Sequence, residues 1–270
     1  MPGTFRIGNI AGIDIDIHVS WIIILVLLTV SLAIGWFPQL YTGQSTATYW
    51  IISLIASLLL FVSVLLHELA HSVVARRRGL PVKNITLFIF GGVSNIEQEP
   101  KDPGIEFQVA VVGPITSLLI GAVCFLLQLP LRGTNSLLGG ILFYLAMTNV
   151  LLGLFNLIPA FPLDGGRVLR SIIWKTSGSM RQATRVASMT GQVIAYLFIL
   201  LGIWLFFAGS ILNGIWLGFI GWFLLSAAQS ANSQVMLASV FNSVTVGEVM
   251  NPKLNTLFRD ERSPCNAKPT

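Results

Sequence analysis

Six long apolar segments, separated by short polar stretches, constrain the fold of this chain more than any other feature. An α-helix of about 20 apolar residues crosses the hydrocarbon core of a bilayer, because it satisfies its backbone hydrogen bonds internally. Only 10% of the residues are charged, compared with about 25% in soluble domains. We therefore predict an all-α polytopic membrane protein embedded in a lipid bilayer, with small membrane-associated β-hairpins. Its six transmembrane helices should cover about residues 19–37, 50–75, 107–128, 138–158, 190–208 and 211–228.

Lysine and arginine alternate between the connections that join these segments. Five basic residues follow segment two, beginning with Arg76-Arg77-Arg78, and five more lie between segments four and five. The connection between segments three and four carries only Arg132, and two other connections carry none. Cytoplasmic loops are enriched in Lys and Arg, so both termini are expected in the cytoplasm or its topological equivalent. The net charge of +5 reflects this topology, and nucleic-acid binding is not expected.

Residues 5–19 show the period-two alternation of a β-strand rather than the pattern of a helix. Isoleucine and valine alternate there with Asp14, Asp16 and His18. We expect a small two-stranded piece at the membrane surface. The three polar side chains could in principle form a second metal site, but a polar strand face at the interface is the favoured interpretation.

A second irregular segment runs from Pro81 to Pro100. Its first half is rich in β-branched and aromatic residues, and Gly91-Gly92 interrupts it before the pattern resumes. The segment is too short and too rich in glycine to span a membrane, so it predicts a re-entrant hairpin beside a protein-lined cavity. An exposed edge strand at Gly91 and Gly92 could bind an extended substrate.

The second apolar segment contains the motif His67-Glu68-Leu69-Ala70-His71. Ionisable side chains are costly in hydrocarbon and usually mark a functional site. Two histidines four residues apart share one face of a helix and can bind one metal ion, and the glutamate beside them suits a general base. A pair of hydrogen-bonded structural histidines is the alternative, but without a metal it would bury three polar groups at high cost.

A catalytic zinc ion generally has three protein ligands, and no third histidine lies in an apolar segment. The best candidate for the third ligand is Asp164, which follows two prolines at the end of segment four and precedes two glycines. Local sequence alone would equally allow Asp164 to cap a short helix at 165–176. Four other acidic residues are less attractive because they cluster in what looks like a water-solvated polar loop: Glu97, Glu99, Asp102 and Glu106.

Together these motifs make the chain resemble the site-2 proteases, a family of intramembrane zinc metalloproteases. The HExxH motif is followed by the family's glycine pair at Gly91-Gly92 and by a Gly-Pro pair at Gly113-Pro114. The family's Asp-Gly motif matches the segment from Asn156 to Gly165. All of these motifs occur in the expected order within residues 13–170.

The resemblance implies one Zn²⁺ ion per chain, bound by His67, His71 and Asp164. It implies Glu68 as the general base for the attacking water and Asn156 as a residue that steadies the substrate or the oxyanion. Members of the family cleave membrane-spanning segments of other proteins, often anti-sigma factors or membrane-bound regulators. The resemblance therefore predicts a metalloendopeptidase acting in regulated intramembrane proteolysis.

The remainder of the chain departs from the family in two respects. The loops are too short to contain a PDZ-like insertion, so the protease domain is expected to cover residues 1–230. A cytoplasmic tail at 231–270 contains the start of a CBS-like segment at Ser243 to Met250, but only about 28 residues follow Asn242. A CBS pair needs over a hundred residues, so we expect an incomplete, partly disordered tail and no nucleotide binding. Cys124 and Cys265 are not expected to pair.

Two other functions fit part of the pattern. A metal transporter could use the same three residues as a transit site, although it would ordinarily distribute ligands along a path and needs no adjacent glutamate. An inactive scaffold could retain the fold, but all of the expected catalytic side chains are present.

Overall fold

The computed structural model describes residues 3–89, 91–134 and 136–241, with side chains described as far as Ser230. Within these residues, six helical segments are long and apolar enough to cross a membrane. The predicted all-α membrane fold with six spans is therefore confirmed. The spans are Ser20–Leu40, Thr46–Arg77, Pro103–Leu131, Leu137–Asn156, Met180–Phe207 and Ile211–Ser230. The CBS-like segment predicted from Ser243 lies outside the described residues.

Eight α-helices make up these spans and one shorter connection. The first span comprises α1 (Ser20–Ser31), a π-helical turn and α2 (Phe37–Leu40), whereas each other span is essentially one helix. Between the fourth and fifth spans lies the short helix α6. The remaining helices are α3 (Thr46–Arg77), α4 (Pro103–Gln128), α5 (Leu137–Asn156), α6 (Asp164–Ser177), α7 (Met180–Phe207) and α8 (Ile211–Phe241).

Polar caps determine where several helices begin. Ser45, Asp102, Ser136 and Ser179 each accept a backbone N–H from the first turn of the helix that follows, which satisfies groups that have no partner within the helix. The fifth span consequently begins at Met180, ten residues before the apolar segment predicted at 190–208. Apolar length alone identifies the membrane-crossing part of a helix and misses its polar first turns.

The four β-strands form one mixed sheet rather than two separate pieces. They are β1 (Thr4–Ile10), β2 (Ile13–His18), β3 (Val82–Phe88) and β4 (Gly91–Ile96), in the spatial order β1-β2-β3-β4. The β1-β2 and β3-β4 pairs are antiparallel hairpins, as expected, while β2 and β3 pair in parallel. The parallel pairing joins segments more than sixty residues apart, which local sequence patterns cannot reveal.

One face of this sheet packs on α3. Ile13, Ile15 and Ile85 are fully or almost fully buried there, against a row of partly buried side chains of α3 that includes Leu65 and Leu69. Burial of each such side chain contributes about 1.5–3 kcal/mol. The sheet is thereby held against the helix that carries the HExxH motif.

The polar face of the N-terminal hairpin is occupied by ion pairs and hydrogen bonds. Arg6 lies 2.7 Å from Asp14 and 3.7 Å from Asp16, and His18 Nδ1 lies 2.8 Å from Ser20 Oγ. These contacts favour a polar strand face at this position. Among the described residues, the only cluster of three potential ligands lies elsewhere.

Small residues allow α7 and α8 to pack closely. A Cβ atom added to Gly202 of α7 would lie 2.8 Å from the carbonyl oxygen of Gly214 and 2.7 Å from the backbone nitrogen of Gly218. Gly214 and Gly218 of α8 therefore pack against the neighbouring span of the same chain. Such close approach is typical of glycine at helix contacts inside membranes.

Candidate active site

Three side chains from distant parts of the chain meet in the interior of the helix bundle. His67 and His71 are one turn apart on α3, and Asp164 is the first residue of α6. The Nε2 atoms of the two histidines are 3.2 Å apart, and each lies 3.2 Å from Asp164 Oδ2. Only 4% of His67 and 6% of His71 is exposed. The three atoms thus form a nearly equilateral triangle in a buried site.

Helix α4 orients both imidazole rings. The hydroxyl of Ser117 lies 2.8 Å from His67 Nδ1, and the carbonyl oxygen of Val109 lies 2.6 Å from His71 Nδ1. Because His71 Nδ1 faces a carbonyl oxygen, Nδ1 carries a proton, so in the neutral ring Nε2 is the nitrogen that can bind a metal ion. Metal-binding histidines characteristically make such a contact through the ring nitrogen that does not face the metal.

The chemistry and spacing of this donor set fit a zinc ion. Tetrahedral zinc with ligands about 2.0–2.1 Å away requires its ligand atoms to be about 3.3 Å apart. The observed 3.2 Å separations match this requirement closely. Two neutral imidazoles and one carboxylate also form a ligand set found in catalytic zinc sites.

Asp164 is held at the triangle by close backbone packing around the two glycines that follow it. A Cβ atom on Gly165 would lie 2.3 Å from the carbonyl oxygens of Leu157 and Ile158, and one on Gly166 would lie 2.5 Å from the carbonyl carbon of Ala160. No larger residue fits without moving the preceding loop. The glycine pair therefore lets α6 begin directly against that loop, with its first carboxylate at the histidines.

The carboxylate of Asp164 does not cap the helix. The N-cap residue of α6 is Leu163, and no side chain bonds the first turn. Burial raises the pKa of Asp164, but attraction to His71 and His67 outweighs it, so the pKa lies below its usual range. The lowered pKa favours the carboxylate form of Asp164, which is the form that can bind a cation.

Glu68 lies beside the triangle and contacts β4. Its Oε2 atom accepts a 2.8 Å hydrogen bond from Ser94 Oγ. A Cβ atom on Gly92 would lie 2.6 Å from Glu68 Cγ, so only glycine leaves room for this side chain. β4 therefore contacts the HExxH motif directly, through the packing of Gly92 and the hydrogen bond of Ser94 on Glu68.

All of the predicted site residues line one cavity of about 420 Å³. β4 forms one wall, and the end of α5 contributes Asn156, whose side-chain nitrogen donates to the carbonyl of Leu152 at 3.0 Å. Besides the two histidines, the basic residue that lines the cavity is Arg167. The predicted residues gathered here are His67, Glu68, His71, Gly91, Gly92, Asn156 and Asp164.

Several contacts of the site are not evident from the sequence. Gly113 belongs to the Gly-Pro pair of α4, and a Cβ atom there would lie 2.1 Å from His71 Nε2. Val109 and Ser117, which contact the histidines, lie four residues to either side of Gly113 on α4. Four-residue spacing around a glycine in an apolar helix is the pattern that could have identified this face.

The prediction that Glu106 is solvated was wrong. Asp102 caps α4, which places Glu106 one turn inside the helix and facing α6. Only 2% of Glu106 is exposed, and it forms an ion pair with Arg170. Asp102 itself is exposed, in agreement with the prediction for the loop.

A buried His-His-Asp triangle beside a glutamate, in a protein with six helices long and apolar enough to cross a membrane, is the arrangement expected of a membrane-embedded metallohydrolase. Comparison with known proteins identifies the family. The profile of Peptidase family M50 matches residues 55–137 and 132–201. The chain belongs to this family of site-2 protease type, as the motifs predicted, and it is an integral multi-pass membrane protein.

Several relatives support this assignment. The chain is 39% identical over 258 residues to Rip3 of Mycobacterium tuberculosis, covering 95% of this chain and 65% of that protein. It is 32% identical over 256 residues to MJ0392 of Methanocaldococcus jannaschii, covering 93% and 67% respectively. The names of both relatives contain the words zinc metalloprotease. The chain thus spans about two thirds of the length of these relatives.

A solved structure agrees with the sequence comparisons. The structure titled Site-2 Protease from Methanocaldococcus jannaschii superimposes with a TM-score of 0.56 and 32% sequence identity. The match covers 85% of this chain and 95% of that one. The shared fold therefore includes most of the six-span region described above.

Proposed function

We propose that this protein is an intramembrane zinc endopeptidase that cleaves transmembrane segments of other membrane proteins. The observation that carries the proposal is the placement of Glu68 between the His-His-Asp triangle and the edge strand β4. A base, a metal-binding triangle and a strand for an extended peptide border the same cavity. His67, His71 and Asp164 would hold the ion.

Glu68 is the general base in this proposal. When bound, zinc would lower the pKa of water and polarise the scissile carbonyl. Oε2 of Glu68 already accepts a hydrogen bond from Ser94, so Oε1 would accept the proton from the attacking water. Glu68 then returns this proton to the amide nitrogen of the leaving group, so the base is regenerated. The hydrogen bond from Ser94 fixes the direction in which the carboxylate points.

The substrate would bind to the free edge of the sheet. A transmembrane helix hides its amides in internal hydrogen bonds and must unwind before hydrolysis. β4 pairs with β3 on one side and is the last strand in the sheet order, so its other edge can pair with an extended peptide. Gly91 and Gly92 let that peptide approach closely, and Asn156 at the opposite wall would steady its carbonyl.

We assign both termini to the cytoplasmic side on the basis of the alternating basic residues. The HExxH motif would then lie near the cytoplasmic end of the second span, close to water. Substrates of the anti-sigma factor or membrane-bound regulator type are the natural candidates. The domain limits at 230 and 231 stay predictions as well.

The deciding experiment compares wild type with Glu68→Gln on a co-expressed single-span substrate. Cleavage should fall by at least a hundredfold, while zinc content remains close to one ion per chain. Glu97→Gln, which changes an acidic residue outside this cavity lining, serves as the matched control. Equal cleavage by wild type and Glu68→Gln would refute the proposal. Zinc flux into proteoliposomes that survives Glu68→Gln would instead support a transporter.

A further inference from the structure

The three consecutive arginines at the end of α3 have different environments. Arg76 donates a 2.5 Å hydrogen bond to the carbonyl oxygen of Ala11 in the first hairpin. Arg77 and Arg78 are exposed, and within the described part of the chain neither guanidinium has a hydrogen-bonded or ion-paired partner. Arg76 thus links the first hairpin to α3, whereas Arg77 and Arg78 are available to bind an anion.

Arg77 and Arg78 lie at one end of a groove between α3 and α4. The groove has a volume of about 510 Å³, and its other lining residues are Val74, Gln108, Val111, Val112 and Ile115. Its polar end coincides with the end of a membrane span. Its apolar end continues along α4 to Ile115 and Leu119, which are 45% and 60% exposed.

We propose that this groove binds an anionic phospholipid. The phosphate would contact Arg77 and Arg78, and an acyl chain would lie along the valines and Ile115. A soluble anion would gain nothing from the apolar end, whereas a lipid uses both ends. Basic pockets between transmembrane helices at the membrane boundary are a known means of binding acidic headgroups. The site is separate from the cavity of the candidate active site.

The position of the groove gives the bound lipid a structural effect. α3 carries His71, and α4 carries the Val109 carbonyl that orients its ring. A lipid that contacts both helices strengthens the packing on which this orientation depends. Anionic lipid should therefore raise the unfolding temperature of the protein as well as bind to it.

Native mass spectrometry of the full chain in detergent can test the proposal. The protein is offered equal amounts of phosphatidylglycerol and phosphatidylcholine with identical acyl chains. Wild type should retain phosphatidylglycerol preferentially. In the double variant Arg77→Gln/Arg78→Gln this preference should fall roughly thirtyfold, since each of the two basic residues contributes about 1 kcal/mol.

Matched variants separate charge from folding. Arg77→Lys/Arg78→Lys should keep most of the preference, and Ile115→Trp should reduce retention of both lipids by filling the groove. Arg132→Gln is the control, because Arg132 contacts Gln128 and Phe125 instead. Phosphatidylglycerol should also raise the unfolding temperature of wild type but not of the glutamine variant.

Three outcomes would overturn the proposal. Equal retention of the two lipids by wild type would exclude selectivity for an acidic headgroup. Unchanged retention by the glutamine double variant would exclude the two arginines. Glycerol phosphate that competes as well as the intact lipid would identify a site for soluble anions.

Discussion

Arg170 and Glu106 form an ion pair in the protein interior that joins α6 to α4. Arg170 Nε donates to Glu106 Oε1 at 2.5 Å, and a terminal nitrogen of the same guanidinium contacts the same oxygen. The exposed fractions are 5% for Arg170 and 2% for Glu106. Arg170 also lies over the ring of Phe161, at 5.2 Å from its centroid. The pair thus links the helix that begins with Asp164 to the helix that orients the histidines.

Breaking this pair should destabilise the protein and weaken zinc binding. Glu106→Gln or Arg170→Met leaves one buried charge without its partner, which costs about 3–5 kcal/mol. Thermal unfolding and zinc affinity by chelator competition would measure the two effects. Glu99→Gln is the matched control, because Glu99 is 3.9 Å from Arg170 and largely exposed. Unchanged zinc affinity in a folded Glu106→Gln variant would show that the pair does not position Asp164.

A methyl group at Gly113 should displace His71. The added Cβ would lie 2.1 Å from Nε2, so Gly113→Ala should lower zinc affinity by at least a hundredfold. Gly218→Ala provides the control in another membrane helix, since nothing lies within 4 Å of a Cβ there. Equal zinc affinity in the two variants would contradict the described position of His71.

Removing the hydroxyl of Ser117 should affect the metal rather than the fold. Ser117→Ala deletes the 2.8 Å contact with His67 Nδ1, and loss of such contacts typically lowers metal affinity 10- to 100-fold. The adjacent Thr116 bonds only a backbone carbonyl of its own helix, so Thr116→Val should retain wild-type zinc affinity. The measurement is again chelator competition, and indistinguishable affinities would rule out this role of Ser117.

Gly92→Ala should separate catalysis from metal binding. The new methyl group would collide with Glu68 Cγ at 2.6 Å and turn the carboxylate away, whereas His67, His71 and Asp164 should remain in place. Substrate cleavage should fall by a factor of about a hundred, with zinc content unchanged. Gly8→Ala, in β1 of the same sheet, should cleave normally, because nothing lies within 4 Å of a Cβ atom there. Loss of zinc from Gly92→Ala would instead show that moving Glu68 also disturbs His67, His71 and Asp164.

Much of the site could be predicted from the sequence because its key residues follow short-range rules. His67 and His71 share a helix face through their spacing alone, and Glu68 is their neighbour in the chain. Asp164 could be proposed because zinc requires a third ligand and few acidic residues follow an apolar segment. Glu106 was misjudged because the start of α4 depends on the Asp102 cap, which shifts it from a loop into the interior.

The sequence by itself determined the six spans, the two hairpins and the identity of the candidate catalytic side chains. These features depend on hydrophobic length, alternation and local spacing, which are properties of neighbouring residues. Only the tertiary structure decided that β2 and β3 join the hairpins into one sheet, that Ser117 and Val109 orient the histidines, and that Arg170 meets Glu106. Such contacts join residues 38 or more positions apart, and their energies depend on packing that no local pattern contains.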